Sequence, residues 1–204
     1  MSVAVVADAD TLFPAATRGL LIYLDYQRAI RLHWSALILD EVSRALVDTG
    51  RKKTFADARA NEARMCDALP HALVSVEDVQ AQFKAVAGAV RSAKDVHVAA
   101  CAYALHALRA YPGHDVVALV TRNTRDFRQN ALADLGIALC KPDDFLLGLL
   151  DAEPAAFASA FRRLRMDLTS KPTPQALLAR LAQEGLQRTT DKALDWHRTG
   201  SQRF

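Results

Sequence analysis

The run Val3-Ala4-Val5-Val6-Ala7 constrains the fold more than any other stretch of the chain. It is short, apolar at every position and rich in β-branched residues, which describes a strand covered on both faces. Such strands belong to parallel sheets, and parallel neighbours need crossover connections that are usually helices. The rest of the chain supplies that alternation. Val116 to Val120 is a second run of the same kind, Ile137 to Cys140 a third, and Ile30 to Trp34 a shorter candidate. Asp10-Thr11-Leu12-Phe13-Pro14 turns the chain into a helical stretch expected through about Arg28, and another is expected from Ser35, an N-cap, through Leu37, Ile38, Glu41, Val42, Ala45 and Leu46. Further helices are expected over Arg51 to Leu69, Val79 to Val90 and Ala93 to Ala110, the last ending before Pro112-Gly113, and another begins at Pro142-Asp143-Asp144.

Beyond Leu150 the pattern is helical only. Phe157, Ala160, Phe161 and Leu164 form one apolar stripe, Leu177, Leu178 and Leu181 another, and Gly185 is placed to end the second helix. Residues 1–150 are therefore expected to form an α/β domain and residues 151–204 a helical extension. With 204 residues, 51% of them hydrophobic, the chain can build a sizeable core. The net charge of +3 lies wholly in the extension, where nine Lys and Arg meet six Asp and Glu, leaving 17 of each before it. Cys66, Cys101 and Cys140 have no paired spacing and read as buried thiols of a reducing cytosol. No stretch has the length of a membrane span and the first residues lack a signal-peptide pattern, so a soluble, cytoplasmic protein is expected.

Four acids stand in settings unusual for surface charge. Asp8 follows the first strand directly, and Asp126 closes Thr121-Arg122-Asn123-Thr124-Arg125-Asp126 after the Val116 to Val120 strand. In open parallel sheets, ligands collect beyond the carboxyl ends of the strands. Glu41 has Leu37, Val42 and Ala45 as helical neighbours, which places its carboxylate on the buried stripe. Asp95 begins the stretch Val96-His97-Val98-Ala99-Ala100, where it either completes a capping box with Ser92 or faces the strand ends. Asp10 either orients the site or caps the turn. Carboxylates sharing one pocket force protonation unless a cation relieves them, so the reading is an oxygen-lined divalent-metal site.

Together these segments resemble the PIN domain nucleases, among them the toxin ribonucleases of the VapC type. The resemblance rests on Val5-Val6-Ala7-Asp8-Ala9-Asp10-Thr11-Leu12, Leu39-Asp40-Glu41-Val42, Lys94-Asp95-Val96-His97-Val98-Ala99-Ala100 and Thr121 to Phe127, and spans roughly residues 3–147. It implies a PIN-like three-layer fold with a mostly parallel central sheet flanked by helices. It also implies that Asp8, Glu41, Asp95 and Asp126 hold Mg2+ or Mn2+, with Asp10, Thr121 and Asn123 in support. Asn123 occupies the place just after the last strand while Asp126 carries the charge, which leaves open whether Asp126 meets the metal directly or through water. The implied activity is hydrolysis of RNA phosphodiester bonds, with a cognate antitoxin and a second copy of the chain as partners.

Two rivals remain at this level. Asp8-Ala9-Asp10 also resembles the haloacid dehalogenase-like phosphatases, with Asp8 as nucleophile and Lys141, Asp143 and Asp144 completing the site. That family has Thr or Val two places after the second Asp, where Leu12 stands here, and leaves Glu41 and Asp95 without a role. The other rival is a non-catalytic module that binds nucleic acid or protein through its basic extension.

Overall fold

The computed structural model describes residues 3–108, 116–200 and 204. Its strands are β1 (Val3–Ala7), β2 (Ile30–Ser35), β3 (Leu73–Val74), β4 (Val117–Val120) and β5 (Ile137–Cys140). The helices are α1 (Ala9–Leu12), α2 (Ala15–Tyr26), α3 (Ala36–Asp48), α4 (Phe55–Ala68), α5 (Val76–Ala81), α6 (Phe83–Val86), α7 (Val96–Ala107), α8 (Gln129–Asp134), α9 (Pro142–Ala152), α10 (Pro154–Asp167), α11 (Pro174–Gln183) and α12 (Gln187–Thr199). They fall into two compact units. One comprises Val3–Phe13 and Arg31–Cys140, the other Pro14–Ile30 and the chain from Lys141 onward. Both units are assembled from separated stretches of sequence.

The first unit carries the sheet, whose strand order is β3-β2-β1-β4-β5. The pairings β1 with β4, β4 with β5 and β2 with β3 all run parallel, with Ala7 opposite Val120 and Val120 opposite Cys140. The expected α/β fold with a parallel sheet flanked by helices is the fold found, and it is consistent with a PIN-like arrangement. Ala4 to Ala7 are completely buried, as a doubly covered strand requires. From β1 the chain builds β2 and β3 to one side, then returns to the other side for β4 and β5. The strand order therefore reverses between β1 and β4, which makes their carboxyl ends the natural binding crevice of the sheet.

Helix α7 crosses this sheet and touches β1, β3, β4 and β5. Val98 through Ala102 and Ala104 are fully buried, and their small side chains let the helix lie close to the strands. A short 3-10 turn, Ala93–Asp95, leads into it; the helix end expected at Ala110 and the Pro112-Gly113 break lie outside the described residues. Ser35 caps α3 as expected, its hydroxyl accepting from the Ile38 amide at 3.3 Å.

Two expected helices differ. The one over Arg51 to Leu69 starts only at Phe55, because the Thr54 hydroxyl accepts from the Asp57 amide and sets the first turn there. The one over Val79 to Val90 is divided into α5, α6 and a 3-10 turn, and it ends where Val90 leaves helical geometry to form an antiparallel bridge with Phe127. The two-residue edge strand β3 has no sequence signal at all. Of the cysteines, Cys101 is buried and Cys66 and Cys140 half-buried, all as free thiols.

The second unit is helical. Phe157, Phe161, Leu164, Leu177, Leu178 and Leu181 are buried, as their stripes demand. At Gly19 in α2 a Cβ would stand 2.7 Å from Leu164 Cδ1, so glycine is what allows α10 to approach. Two helix starts that lack caps of their own borrow carboxylates. Pro14 gives α2 no side-chain cap, and Glu184, just beyond α11, accepts from the amides of Ala16 at 3.2 Å and Thr17 at 2.8 Å and from the Thr17 hydroxyl at 2.9 Å. Leu186 gives α12 none, and Asp143 accepts from the amides of Arg188 at 3.0 Å and Thr189 at 2.9 Å. Among the described residues, no helix is long and apolar enough to cross a membrane.

Glu184 joins α11 to the positive end of α2, so Glu184→Ala is expected to cost about 1–2 kcal/mol. That corresponds to a fall in melting temperature of about 2–8 °C for a chain of this size. Glu184→Gln, which keeps an acceptor without the charge, should lose less. Thermal melts of the three proteins check this, and equal melting temperatures would show that the cap contributes nothing.

Candidate active site

All seven residues singled out by the sequence lie in the sheet unit. Asp8 continues the β1–β4 ladder by one bond, its amide donating to the Val120 carbonyl at 3.0 Å. Its side chain is buried; Oδ1 accepts from the Ala9 amide at 2.6 Å and Oδ2 from the Thr121 hydroxyl at 2.8 Å. Asp8 therefore caps the four-residue α1 while facing the end of β4. Burial pushes its carboxyl up to about 6, with Asp10 and, more weakly, Glu41 adding to the rise against the two hydrogen bonds.

Asp10 is bonded to the end of β4 and the turn that follows it. Its carboxylate accepts from the Arg122 amide at 2.9 Å, from the Asn123 amide at 3.1 Å and from the Thr121 hydroxyl at 3.2 Å, while the Arg122 guanidinium donates to its carbonyl at 3.1 Å. The Thr121 hydroxyl has one proton to share between Asp8 and Asp10, and itself accepts from the Asn123 amide at 3.1 Å. The side-chain amide of Asn123 donates through Nδ2 to the Asp126 carboxylate, and Asp126 is half-buried.

The remaining acids join by electrostatics. Burial raises the Asp95 carboxyl above its usual range, and Asp126 and then Glu41 push it further, while a hydrogen bond with Ser92 opposes them. Glu41 departs from expectation: it is not on the buried stripe. Leu37 is 36% exposed and Ala45 half-buried, so the Leu37–Glu41–Ala45 row is the flank of α3, and Ile38, Leu39, Val42, Ser43 and Leu46 form its core face. Its side chain, 35% exposed, sits 3.5 Å from the Nε2 of buried His97. The motif residues named from the sequence give His97 no role; its signal there is a lone imidazole among Val and Ala residues. Burial lowers the His97 pKa, but the Glu41 carboxylate and the Lys94 main chain outweigh that and raise it. Asp40, next to Glu41, is taken up on the surface by Arg44 and Arg59.

The donor set, carboxylates with a hydroxyl and an amide, suits a hard cation by its oxygen chemistry, and a carboxyl held near 6 by burial first and by its acidic neighbours second is one a cation would relieve. The geometry is open, however: no three His, Cys, Asp or Glu side chains among the described residues close around one point as a preformed cage. The phosphatase alternative loses its acidic pair. Asp143 is committed to the start of α12 through Arg188 and Thr189, and Asp144 is paired with Arg188.

Residues 142–195 match the family model of the VapC50 C-terminal domain. That is about a quarter of the chain, it lies in the helical unit, and it makes this segment similar to a VapC-family domain. No curated protein and no solved structure matches the chain.

Asp8 and His33 should bend stability in opposite directions over one pH window. Asp8 has a folded pKa of about 6 against 3.8 ordinarily, so the cost of burying its charge is present above pH 6 and relieved as pH falls towards 3.8. His33, buried on β2 beside His71, is lowered to about 4 from 6.5, chiefly by burial, so its contribution is intact above 6.5 and lost as pH falls towards 4. Each is worth on the order of 3 kcal/mol. Asp8→Asn should therefore raise stability in metal-free buffer at pH 7 by up to about that amount and unmask a decline towards pH 4. Urea unfolding from pH 4 to 7 measures both; a variant no more stable than the parent at pH 7 would contradict the buried-charge account.

Proposed function

We propose that the chain is a divalent-metal-dependent endoribonuclease, the toxin of a toxin–antitoxin pair, hydrolysing RNA phosphodiester bonds. The observation that carries this reading is the coupling of Asp8, Glu41, Asp95 and Asp126 at the carboxyl edge of a parallel sheet, where its strand order reverses. These four would hold Mg2+ or Mn2+. When bound, such an ion supplies a water acidic enough to attack a phosphodiester at neutral pH and charge to stabilise the leaving oxygen. The chain's own contribution is orientation: Thr121 and the Ala9 amide fix the Asp8 carboxylate, and Asp10 fixes the turn that carries Thr121, Asn123 and Asp126.

The surroundings support a phosphate-bearing substrate. Residues 88–95 and 121–128 carry Arg91, Lys94, Arg122, Arg125 and Arg128 against Asp95 and Asp126, a local net charge of +3 in a stretch, residues 1–150, that is neutral as a whole. Backbone bonds lock the two segments together, the Arg91 amide to the Asp126 carbonyl at 2.7 Å and the Arg128 amide to the Ala89 carbonyl at 2.8 Å. Arg91, Lys94 and Arg125 are exposed and make no ion pair among the described residues, although acids lie beside them in sequence. Exposed cations flanking an acidic centre suit the two sides of a phosphodiester backbone. The choice of RNA, an antitoxin partner, a homodimer and a cytoplasmic setting follows from the resemblance to VapC-type toxins, which the match over residues 142–195 supports.

A labelled single-stranded RNA should be cut with Mg2+ or Mn2+ and not with EDTA. Asp8→Asn, Glu41→Gln and Asp95→Asn should each lose activity on the order of 100-fold or more while staying folded. A parent protein that binds the RNA and never cuts it with either metal would favour the non-catalytic module.

A further inference from the structure

We infer that His97 is a positioning residue that holds the Glu41 carboxylate towards Asp8 and Asp95; this rests on the nuclease reading. Its ring is buried, with 9% of the residue exposed, and its Nε2 has no hydrogen-bond partner among the described residues while pointing at Glu41 Oε2 from 3.5 Å. The ring is anchored by a bond to the main chain of Lys94, one residue before Asp95. Its neighbours on α7, Val96, Val98, Ala99 and Ala100, show what packing alone asks of this stretch. An imidazole there, with one nitrogen left over and aimed at a carboxylate, exceeds that need. Glu41 itself stands on the half-exposed flank of α3, where no other hydrogen bond or ion pair among the described residues restrains its carboxylate. The His97 contact therefore ties α3, which carries Glu41, to the start of α7, directly after the turn that carries Asp95. A second-row donor of this kind fixes the direction of a metal-binding carboxylate and sharpens its affinity without touching the ion.

The test is Mn2+ affinity of the full chain, measured by titration calorimetry without RNA, alongside thermal melts in EDTA. His97→Leu fills most of the space without a donor and should weaken Mn2+ binding about 10-fold with the fold retained. His97→Gln, which returns an N–H, should recover affinity to within about threefold of the parent. A purely structural role would move the melts and leave no rescue by Gln. A His97→Leu protein that binds Mn2+ like the parent, or a folded His97→Gln as weak as His97→Leu, would overturn the inference and leave the nuclease reading standing. A parent that binds no Mn2+ would overturn the nuclease reading itself, and this inference with it.

Discussion

The clasp between Asp10 and the end of β4 is the interaction on which the carboxyl edge of the sheet depends. Parallel strands leave their last amides and carbonyls without partners once the chain turns away. Here the Asp10 carboxylate takes the amides of Arg122 and Asn123, and the Thr11 hydroxyl donates to the Val120 carbonyl at 3.1 Å. The β1 and β4 ends are thereby closed upon each other, and Asp8 and Thr121 are set face to face. Without this clasp the Thr121 hydroxyl would have no fixed direction, and Asp8 would lose one of the two hydrogen bonds that offset its burial. One carboxylate spent on the backbone makes it possible to keep another ionisable and aimed.

That division of labour explains which residues were legible in the sequence. The strands were, because burial on both faces leaves unbroken apolar runs: β1 and β5 match to the residue, and β4 starts one residue later than read. Asp8 and the Thr121–Asp126 turn were legible for the same reason, since polar residues abruptly ending an apolar run have few places to go. Glu41 was misplaced because a three-neighbour helical pattern fixes a face only to within one residue's turn, about 100°, and the flank of α3 is that close to its core face. Asp10 was ambiguous because its partners, amides of residues 122 and 123, are more than a hundred positions away. His97 escaped because its significance lies in one contact across helices, and contacts across helices leave no periodic trace.

The helical unit shows the same residue types in the opposite use. Glu184 and Asp143 are carboxylates that a sequence reading could have taken for catalytic acids, and Asp143 was indeed offered as one in the phosphatase alternative. Each is satisfied by two backbone amides at a helix start and by a threonine hydroxyl, the arrangement that most fully quenches a carboxylate. Asp8 is held by fewer donors, is more deeply buried and is crowded by Asp10 and Glu41, and its carboxyl rises, chiefly through burial. What sets Asp8 apart from the two capping acids is thus its burial and its balance of donors against neighbouring charges, quantities the sequence does not contain.

This contrast also bears on why the chain keeps a charged edge at all. A protein optimised for stability alone would replace Asp8 by a neutral residue, since Asn could keep the bonds to Ala9 and Thr121 without the desolvation cost. It would likewise have little use for exposed, unpaired Arg91, Lys94 and Arg125 beside Asp95 and Asp126, where pairing would be simple. Instead Asp95 stands against the repulsion of Asp126 and Glu41, and Arg91, Lys94 and Arg125 make no ion pair among the described residues. Folding pays nothing back for such segregation of charge. The ligand proposed above, a polynucleotide cut at a metal centre, is anionic along its length and needs a cation at one point, and binding it would give that segregation a use.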